Sequence, residues 1–258
     1  MERTETLTSP ANPLLKDVRR AIARGGLTRD GCMVAESFHL LEEALRSGLE
    51  IKAILAAESV QSQLRAHARR ITVVDDAIFQ KLSATESSQG VIALIRPPEW
   101  SLQDAFRGQT LAVVLDGVQD PGNAGAVARA AEAFGATGIL FTKGTVSPFN
   151  PKTLRASAGS LFRVPFVFNL DAASTRATLD ERQAVVYAAM PHNGKPLPEI
   201  DLRRKCAVVI GSEAHGVSEA WSSGAVAVSI PSIGVESLNA AVAAGILLYE
   251  AQSQRSRP

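Results

Sequence analysis

Three polar segments of this chain follow apolar runs closely enough to sit at strand ends, where α/β sheets bind their ligands. In DGVQDPGNAGAVARAAEAFG, 116–135, Asn123 stands where a helix N-cap is expected. Arg129 lies six residues further on, and the small residues between them let a ligand or another chain come close. In IGSEAHG, 210–216, Glu213 follows a buried-strand pattern directly. In SIPSIGVESLNAAVAAGILLYE, 229–250, Ser237 is placed to cap a last helix on which Leu238, Val242, Ile246 and Tyr249 recur at helical spacing. Capping leaves Glu236 and Asn239 beside it unexplained. Taken singly, Asn123 also reads as a plain cap, Arg129 as a surface cation and Glu213 as a turn carboxylate.

The common alternatives lack their signatures. Neither half opens with GxGxxG, and Gly194-Lys195 is followed by proline where a phosphate loop needs Ser or Thr. GxSxG and HExxH are absent. Cys32 and Cys206 stand alone, which suggests neither a zinc site nor a disulfide framework, fits a reducing compartment and leaves no metal expected. No apolar run approaches a membrane span, and MERTETLTSPANP lacks the apolar core of a signal peptide, so a cytoplasmic location is expected. Twenty-seven basic residues against 26 acidic ones give a net charge of +1 but conceal a bias. Residues 133–170 carry Lys143, Lys152, Arg155 and Arg163 and no acid, and Arg19, Arg20 and Arg24 form a second basic group. Such clusters hold phosphates or form a solvated face.

The elements that position these residues read as α/β throughout. At 258 residues the chain is about 1.7 times the roughly 150-residue prior for one domain. After Pro10 and Pro13, 14–24 reads as an amphipathic helix ended by Gly25-Gly26, an arm spanning 1–28. A small α/β unit over 29–98 follows, with strands at 32–35, 51–55, 71–74 and 91–95 and helices at 37–46, from the mid-fifties to about 68, and at 75–82. Pro97-Pro98 closes it. A second series over 108–258 has strands at 111–115, 138–141, 164–168, 184–189, 207–210 and 225–230 and helices at 124–134 and from 238 to about 251. Its sheet is expected to be mainly parallel.

Together the three segments resemble the SpoU (TrmH-like) branch of the SPOUT RNA 2′-O-ribose methyltransferases. Asn123, Arg129 and Phe134-Gly135 match its first motif; Gly211, Glu213 and Gly216 its second; Ile230-Pro231, Ser237-Leu238-Asn239 and Leu248-Tyr249-Glu250 its third. The chain departs from the pattern at Ser232, where methionine is common, and in a spacing one residue short before Ser237. The first hundred residues resemble the ribosomal-protein-like substrate-binding domain that often precedes this catalytic domain.

The resemblance implies a carboxy-terminal trefoil knot binding S-adenosylmethionine, with Gly211, Ile230 and Leu238 as cofactor residues. It implies in-line transfer of the sulfonium methyl to a ribose 2′-hydroxyl, in which alignment is worth roughly 7–11 kcal/mol. Arg129 would clamp phosphate or stabilise the developing alkoxide, Glu213 would hold its fork, and Asn123, Ser237 and Asn239 would orient arginine, phosphate or ribose. Lys143, Lys152, Arg155 and Arg163 would grip RNA, and a homodimer would complete the site. Large-subunit ribosomal RNA is the expected substrate; transfer RNA, or a catalytically silent RNA-binding assembly factor of the same fold, are the alternatives.

Overall fold

The computed structural model describes residues 5–64, 71–83 and 88–256. The chain divides into two units: Met1–Glu99 with Phe149–Phe162, and Trp100–Pro148 with Arg163–Pro258.

The first unit runs β1 (Glu5–Leu7), α1 (Pro13–Arg24), β2 (Met33–Glu36), α2 (Phe38–Arg46), β3 (Ile51–Ala57), β4 (Ile71–Val74), α3 (Asp76–Leu82) and β5 (Val91–Ile95). Its sheet has the order β1-β4-β3-β5-β2, parallel across β1, β4 and β3 and antiparallel where β5 meets β3 and β2. α1 starts where the Asn12 side chain accepts from the Leu14 N–H, with Pro13 in a first-turn position that needs no donor. It ends at Gly25 in the left-handed region, φ 59°. Leu15, Val18 and Ala21 on one side of α1 join Val34, Leu55, Phe79 and Leu94 in the core. Burial of each large side chain stabilises by roughly 1.5–3 kcal/mol. The stretch expected as an arm is therefore a layer of this unit: β1 extends the sheet and α1 covers it. The helix expected to reach 68 is a 3-10 segment, Glu58–Leu64, and 65–68 lie outside the described residues.

The second unit begins with α4 (Leu102–Ala105), β6 (Leu111–Asp116), α5 (Pro121–Ala133) and β7 (Gly138–Thr142). The chain then contributes α6 (Pro151–Ser157) to the first unit, where it packs on β2 and buries Thr153, Leu154 and Ser157. It resumes with β8 (Phe166–Leu170), α7 (Ala172–Glu181), β9 (Val185–Ala189), β10 (Lys195–Pro196), β11 (Cys206–Gly211), α8 (Glu219–Ser222), β12 (Val226–Ser229) and α9 (Ala240–Ser256). The seven strands lie in the order β10-β12-β9-β11-β6-β7-β8 with every neighbouring pair parallel, the sheet type expected from the near-continuous apolar runs. Leu179 of α7 and Trp221 of α8 pack with Ala112, Val114, Ala207 and Val209. α5 and α9 pack on one another and on β7 and β11. Among the described residues no helix is long and apolar enough to cross a membrane.

Arg255, in the last turn of α9, fastens that helix to the sheet. Its guanidinium donates to the carbonyls of Leu202 at 2.8 Å, Gln109 at 2.7 Å, Thr110 at 3.0 Å and Arg204 at 2.7 Å. Charged hydrogen bonds contribute roughly 1.5–3 kcal/mol each, with large non-additivity. Arg255→Ala is therefore expected to lower unfolding free energy by about 2–4 kcal/mol in a urea titration; a loss below about 0.5 kcal/mol would contradict this fastening role.

Candidate functional site

Beyond the carboxyl ends of β9, β11 and β12, three adjacent strands, the second unit has a cavity of about 360 Å³. Its walls come from Ala189 and Met190 at the end of β9, from Ile210, Gly211, Ser212 and Glu213 at the end of β11, and from Ile230 after β12. Ser237, Leu238, Asn239 and Ala243 complete it from the start of α9. Gly211 is where two passes of main chain meet. A Cβ there would lie 2.1 Å from the Gly216 carbonyl carbon and 2.3 Å from the Val217 nitrogen, so no side chain fits. The Ser212–Gly216 turn closes over it with paired backbone bonds of 3.1 and 2.9 Å, and Ser212 Oγ accepts from the His215 N–H at 3.1 Å. Asp116, at the end of β6, holds the chain on its way into α8 by accepting from the Ser218 N–H at 2.7 Å.

At the cavity rim the three sequence segments are joined by one chain of hydrogen bonds. Asn239 Oδ1 accepts from the N–H groups of Ala241, 2.9 Å, and Val242, 3.2 Å, and so caps α9. That fixes which end of its amide is which, and Nδ2 donates to Asn123 Oδ1 at 2.9 Å. Asn123 Nδ2 in turn donates to Glu213 Oε1 at 2.5 Å. The carboxylate is thus held from the far end of the relay, and Asn123, Glu213 and Asn239, up to 116 residues apart in sequence, form one group.

Two expected caps are corrected by this arrangement. α5 begins two residues before Asn123, at Pro121, and its cap is Asp120, which accepts from the Asn123 N–H at 2.7 Å. Asn123 is therefore inside the helix and its side chain is released for the relay. Ser237 does not cap α9, because the helix starts at Ala240 and Asn239 takes that role; Ser237 lines the cavity instead. The periodic set Val242, Ile246 and Tyr249 does not face the core either. Ala240, Ala244, Leu247, Leu248 and Ala251 do, while Val242 and Tyr249 are 50% and 58% exposed. Phe134 of the adjacent helix meets the Tyr249 ring edge-on at 5.7 Å.

Gly211, Ile230 and Leu238 all border the cavity, as do Glu213, Ser237 and Asn239. Arg129 does not. It is exposed on α5, and six residues place it about 120° around that helix from Asn123. Among the described residues it has no hydrogen bond or ion pair, and the expected Glu213–Arg129 contact is replaced by Glu213–Asn123. Sequence reasoning missed Met190 and Ala189; their signal was their place at the end of an expected strand.

The basic stretch is less charged than it reads. Glu132 and Asp171, the acids immediately outside 133–170, approach it: Arg163 Nη2 donates to Glu132 Oε2 at 3.0 Å, and Lys143 Nζ lies 3.9 Å from Asp171. Lys152 is exposed on α6, whereas Arg155 is half-buried with Nη1 enclosed and unpaired. Cys206 is buried beneath α9, and desolvation pushes its thiol up to about 11, opposed by Arg255, so it is neutral and unsuited to nucleophilic work.

A parallel sheet with an apolar cleft at its strand ends, ringed by amide, hydroxyl and carboxylate groups, defines an α/β domain built to hold a small organic ligand. The profile of the SpoU rRNA Methylase family matches residues 110–249, and that of the MRM3-like substrate binding domain residues 12–93. The 23S rRNA (guanosine(2553)-2'-O)-methyltransferase RlmP of Bacillus subtilis is 33% identical over 250 residues, covering 94% of this chain and 97% of that protein. The SpoU methyltransferase AviRb from Streptomyces viridochromogenes, in complex with the cofactor AdoMet, superposes with a TM-score of 0.85 at 26% identity over 95% of this chain and 98% of that one. An AdoMet-bound rRNA methyltransferase from Sinorhizobium meliloti gives a TM-score of 0.82 at 27% identity, over 97% of this chain and 98% of that one. The chain belongs to the SpoU rRNA methylase family.

Proposed function

We propose that this protein is an S-adenosylmethionine-dependent RNA 2′-O-ribose methyltransferase acting on a guanosine of large-subunit ribosomal RNA. The observation that carries the reading is the convergence of the three motif segments on one cavity, tied by the Asn239–Asn123–Glu213 relay. The substrate assignment follows RlmP, whose name specifies a 23S rRNA guanosine.

The cavity fits the cofactor on its own terms. Its volume lies within the roughly 300–1,000 Å³ typical of ligand pockets. At Gly211 bare main chain forms the wall where an added Cβ would strike the turn. Ile230 and Leu238 offer apolar surface for an adenine face, and backbone groups beside Gly211 offer donors and acceptors for its edge. When bound, S-adenosylmethionine supplies an electrophilic methyl group on a sulfonium centre. Glu213, Ser237 and Asn239 at the rim orient polar groups of the bound partners.

Arg129 is the residue for the RNA side. A guanidinium has donors and no acceptor, so it clamps a phosphate or steadies a developing alkoxide and does not take the hydroxyl proton. Because it lies away from its own cavity and has no bonding partner among the described residues, it serves the cavity of a second copy. The uncovered apolar face of α9, with Val242 and Tyr249, supports such a homodimer. The knotted carboxy terminus is carried over from the family resemblance; in that reading the segment between β12 and α9, from which Ile230, Ser237, Leu238 and Asn239 line the cavity, belongs to the knot. The first unit, 1–99 with 149–162, then acts as the RNA substrate-binding domain, and the second, 100–148 with 163–258, as the methyltransferase domain. Lys143, Lys152, Arg155 and Arg163 contact RNA in a cytoplasmic enzyme.

The test maps 2′-O-methylated positions in RNA from cells with and without the protein. One large-subunit ribosomal guanosine is expected to lose its methyl group. Unchanged ribosomal methylation, together with no calorimetric binding of S-adenosylmethionine to the purified protein, overturns the reading.

A further inference from the structure

The first unit presents a second basic surface, and its charges are less neutralised than those of 133–170. α1 turns Leu15, Val18 and Ala21 inward and leaves Lys16, Arg19, Ala23 and Arg24 exposed. At 100° per residue, Lys16, Arg19, Arg20 and Arg24 fall within an arc of about 140°, spread over ~12 Å of helix axis. Asp17 is the single acid on this helix; it pairs with Arg20 and accepts from the Arg29 backbone N–H at 2.9 Å. Lys16, Arg19 and Arg24 make no hydrogen bond or ion pair among the described residues. Arg29, its side chain 75% exposed, is drawn to the same acid, with Nε 3.9 Å from Asp17.

From this geometry we infer that the exposed face of α1 is a docking surface for the RNA sugar–phosphate backbone, an inference that rests on the methyltransferase reading above. Charge complementarity selects the occupant. Three unpaired cations on a rigid, core-anchored helix match a polyanion, and the face offers no apolar patch for a protein partner. Base edges are not read here, because long flexible lysine and arginine side chains without fixing partners contact phosphates in many registers. The surface adds affinity and electrostatic attraction, and sequence choice lies elsewhere.

The experiment compares the full-length wild type with Lys16→Gln/Arg19→Gln/Arg24→Gln by filter binding of protein-free large-subunit ribosomal RNA at several salt concentrations. The expected result is at least tenfold weaker binding at low salt. The log–log salt slope should be shallower by about 2, from three lost phosphate contacts at roughly 0.7 each. Glutamine keeps the helix, so the melting temperature and S-adenosylmethionine affinity stay unchanged. A second variant, Arg203→Gln/Arg204→Gln/Lys205→Gln, removes the same net charge before β11 and is expected to bind like wild type. Wild-type affinity and slope in the α1 variant, or equal losses in both variants, overturn the inference. A wild type that binds this RNA with the expected α1 dependence yet takes no S-adenosylmethionine overturns the parent reading alone.

Discussion

Replacing Arg129 with alanine is expected to abolish methyl transfer while leaving S-adenosylmethionine affinity within about tenfold of wild type, a difference of ~1.4 kcal/mol. The expectation follows from position. Arg129 is exposed, bonds to no described residue and borders no part of the cavity in its own chain, so its removal neither unfolds α5 nor disturbs the cofactor walls. What it removes is a charge that acts on substrate, and a group used in the transition state lowers kcat and kcat/KM together. Single-turnover transfer from labelled cofactor, with a calorimetric titration on the same preparation, gives the answer. Turnover at the wild-type rate would remove Arg129 from the mechanism. Mixing Arg129→Ala with a cavity-defective variant adds a direct check of the shared site: activity returns only if one copy lends its arginine to the other.

Gly211→Ala is the second large effect, and it acts in the opposite way. The new methyl group would sit 2.1 to 2.3 Å from main-chain atoms of Gly216 and Val217, neither of which yields as a flexible side chain would. The Ser212–Gly216 turn must move, and Glu213 rides on that turn, so the relay to Asn123 breaks with it. Overpacking of this kind costs roughly 1–3 kcal/mol of stability. Because the displaced segment is also cavity wall, S-adenosylmethionine affinity is expected to fall more than 100-fold, about 2.8 kcal/mol. A folded Gly211→Ala protein that binds the cofactor like wild type would show that this turn is no part of its site.

Much of the frame is written in apolar periodicity. The run VIALI predicts β5 at the residues it occupies, and the buried runs LAVVLD and CAVVIG form adjacent central strands. The helix starts are less legible. Three helices open on an Asn-Pro or Asp-Pro pair, Asn12-Pro13, Asp120-Pro121 and Asn150-Pro151, in which the first residue caps and proline takes a position that needs no donor. α5 accordingly starts three residues ahead of the expected 124, and α6 opens where no helix is expected. β1 is three residues long and pairs with β4 alone, too short for any period to register. The basic stretch misled for a related reason, since a window that stops at 133 and 170 omits the two acids that fold back on it. Within the site, motif spacing identified Glu213 and Asn239, but which amide faces which is set by the first N–H groups of α9, a three-dimensional fact.

The passage of 149–162 into the first unit has a consequence for dissecting this protein. A fragment starting at residue 100 would retain Leu154, Leu161 and Phe162, all buried in the intact chain, without the β-sheet unit that shelters them. A fragment ending at 99 would lose α6 from against β2. No single scissor point yields two self-sufficient halves, so any swap of RNA-recognition modules between relatives must carry this excursion along with the amino-terminal portion.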